Sequence, residues 1–322
     1  MKKALPVLFV LLWVLPAFAA DQVVLRLAQP QAVGHPQSRM VDRIAKRIEE
    51  ATKGEVTLKH YPAGQLGSAP EMFRQTVDGG IDFVIGGTDE ISAYDKRLDV
   101  FQTFYLFKSP DHMLKVMQGP MAATLFEEAQ RKSGIRIVNN VYFGTRILST
   151  KSVKVYKPED LKGVKIRATP SPVWVENFNA MGATAVPMPL SEVYMALQTG
   201  TVEGQDNPLP GVKANKFFEV QNNFSLTNHA IGFSTIMVNA KAWNRIPEKY
   251  RPDIDKVFKE EGLWMKGEIV AQDEAIRKEL EGMKKTFIEP DRAAFRERVL
   301  KAQMERHKDT YADLIRQIME IE

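Results

Sequence analysis

Three polar side chains at the ends of short apolar-alternating runs could together hold an anion. Arg146 stands in YFGTRILST, Arg167 ends the alternation of GVKIRATPSP just before two prolines, and Asn207 lies in GQDNP. A guanidinium offers a planar fork that matches both oxygens of a carboxylate, and an asparagine amide can donate to one of them. Such a set binds an acid and does no chemistry on it. Each residue also has a plainer reading: a solvated strand-end arginine for Arg167, an ion pair with one of the many acids for Arg146, and a turn residue before Pro208 for Asn207.

Residue patterns for a reaction are absent from the sequence. It contains no Gly-x-Ser-x-Gly elbow, no His-Glu-x-x-His and no glycine-rich phosphate loop, and His35, His60, His112, His229 and His307 are far apart along the chain. No cofactor and no metal is implied. An exported enzyme such as a hydrolase, with residues that meet only in space, stays open as an alternative.

The elements that must position the three donors read as α/β. VVLRLA (23–28) alternates like a strand, and RMVDRIAKRIEEATKG places Met40 or Val41, Ile44, Ile48 and Ala51 at helical spacing before Gly54 closes the helix. EVTLKHY gives a second strand, and Ser68 with Glu71 three residues on forms a capping box that opens a second helix. Strand, helix, strand, helix predicts a largely parallel sheet. PEMFRQTVDGGIDF also echoes SEVYMALQTGTVEG, so that Glu71 meets Glu192, Phe73 meets Tyr194, Gly79 meets Gly200, Ile81 meets Val202 and Asp82 meets Glu203. Two similar lobes set the carboxyl ends of their strands around a shared crevice, where open α/β sheets bind ligands. From Arg251 a helical pattern runs for about 35 residues, which reaches roughly 50 Å at about 1.5 Å per residue, enough to brace both lobes. The alternative is two helices broken at Gly262 or Gly267. A last amphipathic helix, around Asp291 to Ile321, is expected on the outside.

With 322 residues, 44% hydrophobic and 26% charged, the chain has the composition of a globular protein of two domains. Its start, MKKALPVLFVLLWVLPAFAA, has Lys2 and Lys3, an apolar run and the Ala17-Phe18-Ala19 pattern of a signal peptide cleaved after Ala19. Pro6 and Pro16 cut the apolar run below the roughly 20 residues of a spanning helix. The sequence has no cysteine, which excludes a lipidated cysteine anchor and any disulfide. Loss of the leader lowers the net charge from +4 to +2, a near-balanced surface and not the footprint of a nucleic-acid binder.

The run LKGVKIRATPSPVWVENFNAMGATAVPMPLSEVYMALQTGTVEGQDNPLPGVKANKFFEVQ resembles the substrate-binding proteins of tripartite ATP-independent periplasmic (TRAP) transporters. The likeness extends through YPAGQLGSAPEMFRQTVDGGIDFVIGG, YFGTRILSTKSV and SLTNHAIGFSTIMVNAKAWNRIPE. It implies an α/β, two-lobed periplasmic-binding-protein-like fold with a long C-terminal helix bracing both lobes. After the signal peptide at 1–19, lobe I takes 20–144 with 234–270, and lobe II takes 145–233 with 271–322. It implies a periplasmic protein that closes on a small organic acid, a sugar acid or hydroxy acid above all, and delivers it to an integral membrane TRAP permease driven by an ion gradient. A ligand-sensing protein that signals to a membrane receptor shares the same binding physics. Carried over by position, the resemblance makes Arg167 the carboxylate anchor and Asn207 and Arg146 supporting donors. Trp174 and Leu190 then shape the wall, and His35, Ser68 and Thr88 contact the rest of the ligand from the first lobe. Two departures are Phe104, where relatives usually have proline, and Phe233, where many have a polar or acidic residue. Different core packing is the expected reason for both, with a more apolar wall as the alternative.

Overall fold

The structure, a computed structural model, describes residues 22–322, so the expected signal peptide lies outside the described residues. The chain runs β1 (Val23–Ala28), α1 (Pro36–Ala51), β2 (Val56–Tyr61), α2 (Ala69–Val77), β3 (Phe83–Gly86), α3 (Thr88–Ile91), α4 (Pro110–Met117), α5 (Pro120–Ser133) and β4 (Ile135–Thr150). It continues through β5 (Lys165–Ala168), α6 (Pro172–Met181), β6 (Thr184–Pro187), α7 (Leu190–Thr199), β7 (Gly204–Asn207), α8 (Leu209–Ala214) and β8 (Asn223–Asn239). The rest is α9 (Ala240–Arg245), α10 (Arg251–Gly282), β9 (Thr286–Ile288), α11 (Arg292–Arg306) and α12 (Ala312–Glu320). Among the described residues no helix is long and apolar enough to cross a membrane.

All these strands join in one sheet, in the order β2-β1-β3-β8-β4-β7-β5-β6, with β9 beside β8. Each end is parallel, as the strand-helix alternation predicts: β1 lies between β2 and β3, and β5 between β6 and β7. The middle is antiparallel, because the long β4 and β8 pair with each other and carry β7 and β3 on their flanks. The internal echo is thus a topological one. β3 and β7 each lie between a parallel strand and a long antiparallel one. Gly79 and Gly200, at φ of 82° and 77°, end the helices before them in the left-handed conformation that glycine adopts without strain. Ser68 caps α2 as expected, with Glu71 Oε2 accepting from its N–H at 2.8 Å and from its hydroxyl at 2.7 Å.

Helix α10 is continuous through both of the glycines that could have broken it. Gly262 is where it touches β4: a Cβ there would fall 2.7 Å from Val141 Cγ1 and 2.9 Å from Asn139 Nδ2, so the side chain is absent to let helix and strand approach. Ile254, Val257, Phe258, Met265 and Ile269 of its first part enter the core formed with β1, β3 and α1, and Ile276 and Leu280 near its end enter a second-lobe core. The second lobe has a core on each face of its sheet. Adjacent Ile147 and Leu148 of β4 point to opposite faces and feed different cores, the period-two consequence of a strand.

The expected lobe boundaries at 144/145 and 233/234 fall beside Gly144 and Gly232, which face each other across β4 and β8 next to a register shift. Two segments cross that division. Phe104 packs into the second-lobe core with Trp174 and Phe178, and α12, given to lobe II, places Ile315 and Ile318 in the first-lobe core.

Candidate functional site

Because β5 and β7 are parallel neighbours, the residues at their C-terminal ends open on one side, towards the end of β3 from the other lobe. There a cavity of about 130 Å³ is lined by Arg146, Arg167, Asn207, Trp174, Leu190 and Ser68 among the expected residues.

Arg167 follows the buried Ile166 on β5 and is itself only 3% exposed. Its Nε and Nη2 donate to the carbonyl of Met188 at 3.1 and 3.0 Å, which fixes the plane of the fork. Among the described residues no carboxylate forms an ion pair with it. Burial pulls its pKa down to about 10, with Asp206 opposing and Arg146 adding to the effect. The solvated strand-end reading therefore fails.

Arg146 is buried as well, and its ion-pair reading holds. Nε donates to Asp206 Oδ2 at 2.5 Å, Nη2 donates to the Asp206 carbonyl at 2.9 Å, and the guanidinium carbon lies 4.8 Å from the centre of the Trp174 ring. Burial pushes Asp206 up, but the charge of Arg146 and hydrogen bonds from His229 and Arg146 outweigh it and hold the carboxyl well below the usual range. Burial lowers His229, against the pull of Asp206, which keeps its ring neutral. The buried set of Arg146, Asp206, His229 and Arg167 thus carries one positive charge in excess, which a ligand carboxylate would cancel.

Thr227 Oγ1, His229 and Asp206 line up at 2.8 and 3.1 Å in the order of a nucleophilic triad. All three are fully buried, and none lines the cavity, so no substrate atom meets the hydroxyl.

Asn207 is the last residue of β7 and donates from Nδ2 to Gln205 Oε1 at 2.6 Å. It is 3% exposed, unlike a solvated turn residue. His35 and Thr88 do not line the cavity. His35 Nδ1 instead accepts from Gln37 N at the start of α1, and its ring stacks on Phe143, one layer behind the wall. Thr88 donates to the carbonyl of Leu98 inside the first lobe. Of the two departures, Phe104 is core, set edge-on to Trp174 and Phe178, whereas Phe233 does line the cavity and makes that part of its wall apolar.

The first-lobe wall holds residues that the sequence reading did not single out: Gln31, Asp89 and Glu90. A signal for the last two existed. The offset that lays Asp82 over Glu203 lays Gly86 over Asn207, which sends the loop after β3 to the same crevice. Asp206 was equally near, one residue before Asn207, and strand alternation puts it on the opposite face to its neighbour.

The family described as bacterial extracellular solute-binding protein, family 7, matches residues 27–309. The 2,3-diketo-L-gulonate-binding periplasmic protein of Escherichia coli is 31% identical over 252 residues, 77% of this chain and 76% of that protein. The sialic acid-binding periplasmic protein of Vibrio cholerae is 29% identical over 238 residues, 74% of each. Among solved structures, a TRAP periplasmic solute binding protein of Actinobacillus succinogenes with bound L-galactonate superposes with a TM-score of 0.88 at 27% identity, covering 92% of this chain and 98% of that one.

Proposed function

The chain belongs to family 7 of the bacterial extracellular solute-binding proteins, and on that premise we propose that it captures a small organic acid by its carboxylate between its lobes and hands it to a TRAP membrane permease. It is a binding protein and not an enzyme. The observation that carries the carboxylate reading is the buried excess positive charge: Arg167 is held rigidly on Met188 O with no acid of its own, beside an Arg146 already paired with Asp206. Arg167 serves as anchor, with Arg146 and Asn207 as supporting donors and Trp174, Leu190 and Phe233 as wall. Ser68 contacts the distal part of the ligand, and His35 and Thr88 support the loops from behind. The relatives with periplasmic names, and their sugar-acid ligands, support a periplasmic location and a sugar acid or hydroxy acid as cargo.

The test is a thermal-shift and calorimetry screen of ligand-stripped protein against sugar acids and their uncharged primary amides. At 100 times its dissociation constant an acid stabilises by about 2.7 kcal/mol. Acids are expected to shift the melting temperature and amides to leave it unchanged. Equal shifts from an acid and its amide would overturn the carboxylate reading.

A further inference from the structure

Opposite the guanidiniums, the cavity is closed by acceptors. Asp89 and Glu90 begin α3 at the end of β3, and both carboxylates fold back over Gly86 and Gly87. A Cβ on Gly87 would fall 2.1 Å from Asp89 Oδ1, and one on Gly86 would fall 3.0 Å from the carboxyl carbon of Glu90, so the two glycines let both carboxylates lie against the backbone. Glu90 Oε2 accepts from Gly87 N at 2.5 Å, which fixes its direction. Gln31, which lines the same cavity, is 8% exposed, and its Oε1 is buried without a hydrogen-bond partner. Among the described residues neither acid forms an ion pair, although both share the cavity with Arg146 and Arg167.

This reading rests on the carboxylate-capture function above and narrows its cargo. We infer that Asp89, Glu90 and Gln31 form an acceptor wall that admits the hydroxyl-bearing end of a monocarboxylic acid and rejects a second carboxylate. A ligand that bridges the walls places its carboxylate on Arg167, where positive charge is in excess, and its far end against two acids and an amide oxygen. Hydroxyl groups donate to all three. A terminal carboxylate brings a further negative charge up against Asp89 in a confined space, and like charges set against one another cost several kcal/mol.

The electrostatics of the wall agree. Burial pushes Asp89 up to about 6, partly opposed by Ser171 across the lobe seam, and burial together with the charge of Asp89 raises Glu90 well above the usual carboxylate range. The other charged groups around the pair are Asp99 of the adjacent 96–102 turn, bound to Lys96, and Arg74 of α2 and Asp78 just after it on the outer side, besides the two arginines across the cavity. Protonation of Asp89 as the pH falls through about 6 removes a negative charge, so rejection of a second carboxylate weakens in acid.

The test is calorimetry on the ligand-stripped protein with aldonate and aldarate pairs of four to six carbons, for example D-gluconate and D-glucarate, which differ only in the terminal group. At pH 7.5 at least one aldonate is expected to bind, about 100-fold or more tighter than its aldarate, the equivalent of about 2.7 kcal/mol. At pH 5.0 the gap should narrow about tenfold in the unaltered protein. The double variant Asp89→Asn, Glu90→Gln should bring it below about tenfold at pH 7.5 and remove the pH effect. An aldarate that binds as tightly as its aldonate at pH 7.5, a gap the double variant leaves intact, or failure of every aldonate to bind overturns the inference. Failure of the underlying function looks different: Arg167→Met would then leave aldonate binding intact, whatever the ratio within each pair.

Discussion

Replacing Arg167 with methionine separates a binding role from a structural one, because the two predict opposite outcomes for the free protein. Methionine keeps an unbranched side chain of similar reach and removes the charge together with both bonds to Met188 O. If the guanidinium is there for a ligand, it is a burden in the free protein. A pKa drawn down from 12.5 to about 10 corresponds to about 3 kcal/mol of unfavourable environment. Loss of the two bonds to one carbonyl costs a comparable amount, about 1–3 kcal/mol. These nearly cancel, so the unliganded stability of Arg167→Met should lie within about 1–2 kcal/mol of the unaltered protein. Binding should instead fall by about 2–5 kcal/mol, roughly 30-fold to several thousand-fold, the cost of truncating one partner of a desolvated, hydrogen-bonded charge pair. Urea unfolding gives the first quantity and calorimetry with a responding sugar acid the second. A variant that unfolds several kcal/mol more easily yet binds its acid within about threefold of normal would make Arg167 a strut of the β5–β6 edge and refute the reasoning.

Asp206→Asn leaves Arg146 buried without its counter-charge, and should destabilise the protein by about 3–5 kcal/mol in urea unfolding; a loss under about 1 kcal/mol would show that Arg146 has another anion. His35 has its pKa lowered to about 3 by burial, with Arg39 and Arg146 adding to it. The unfolded chain therefore takes up this proton first as the pH falls below about 6.5, and stability drops through the window from there to about 3. At pH 4.5 the share of His35 is about 2–3 kcal/mol. His35→Asn, which keeps an acceptor for the start of α1, should lose correspondingly less between pH 7.5 and 4.5, and identical losses in both proteins would contradict the assignment. Asp89 runs the other way, its favourable share present in acid and lost as the pH rises through about 6, so the difference between the two proteins, and not either slope alone, is the measure.

What the sequence made legible was local. The capping box at Ser68, the glycine breaks at Gly79 and Gly200 and the parallel ends of the sheet follow from periodicity and from backbone conformations that few residues adopt. The single shared sheet did not follow. It depends on β4 pairing with β8, about ninety residues away, and both strands change burial pattern midway as they pass from one lobe to the other. Phe104 shows the same limit, since its ring fills the core of a lobe to which its own segment does not belong. His35 and Thr88 are committed elsewhere, His35 accepting from Gln37 N at the start of α1 and Thr88 donating to the Leu98 carbonyl, and sequence spacing gives no sign of either bond.

The division of labour between the lobes follows from the topology and not from any one motif. In β7, Gln205 and Asn207 share one face and Asp206 takes the other, so two adjacent residues serve different ends: Asn207 at the cavity, Asp206 behind it holding Arg146. That leaves Arg167 as the charge without a counterpart on the second lobe, while Asp89 and Glu90 are acids without a cationic partner on the first. Neither imbalance is relieved within the protein, since no ion pair joins the two walls among the described residues. A free closed cleft carries both costs at once. On the proposed function, a monocarboxylic acid with hydroxyl groups at its far end would relieve both together, and a ligand with that differential affinity would favour the closed form.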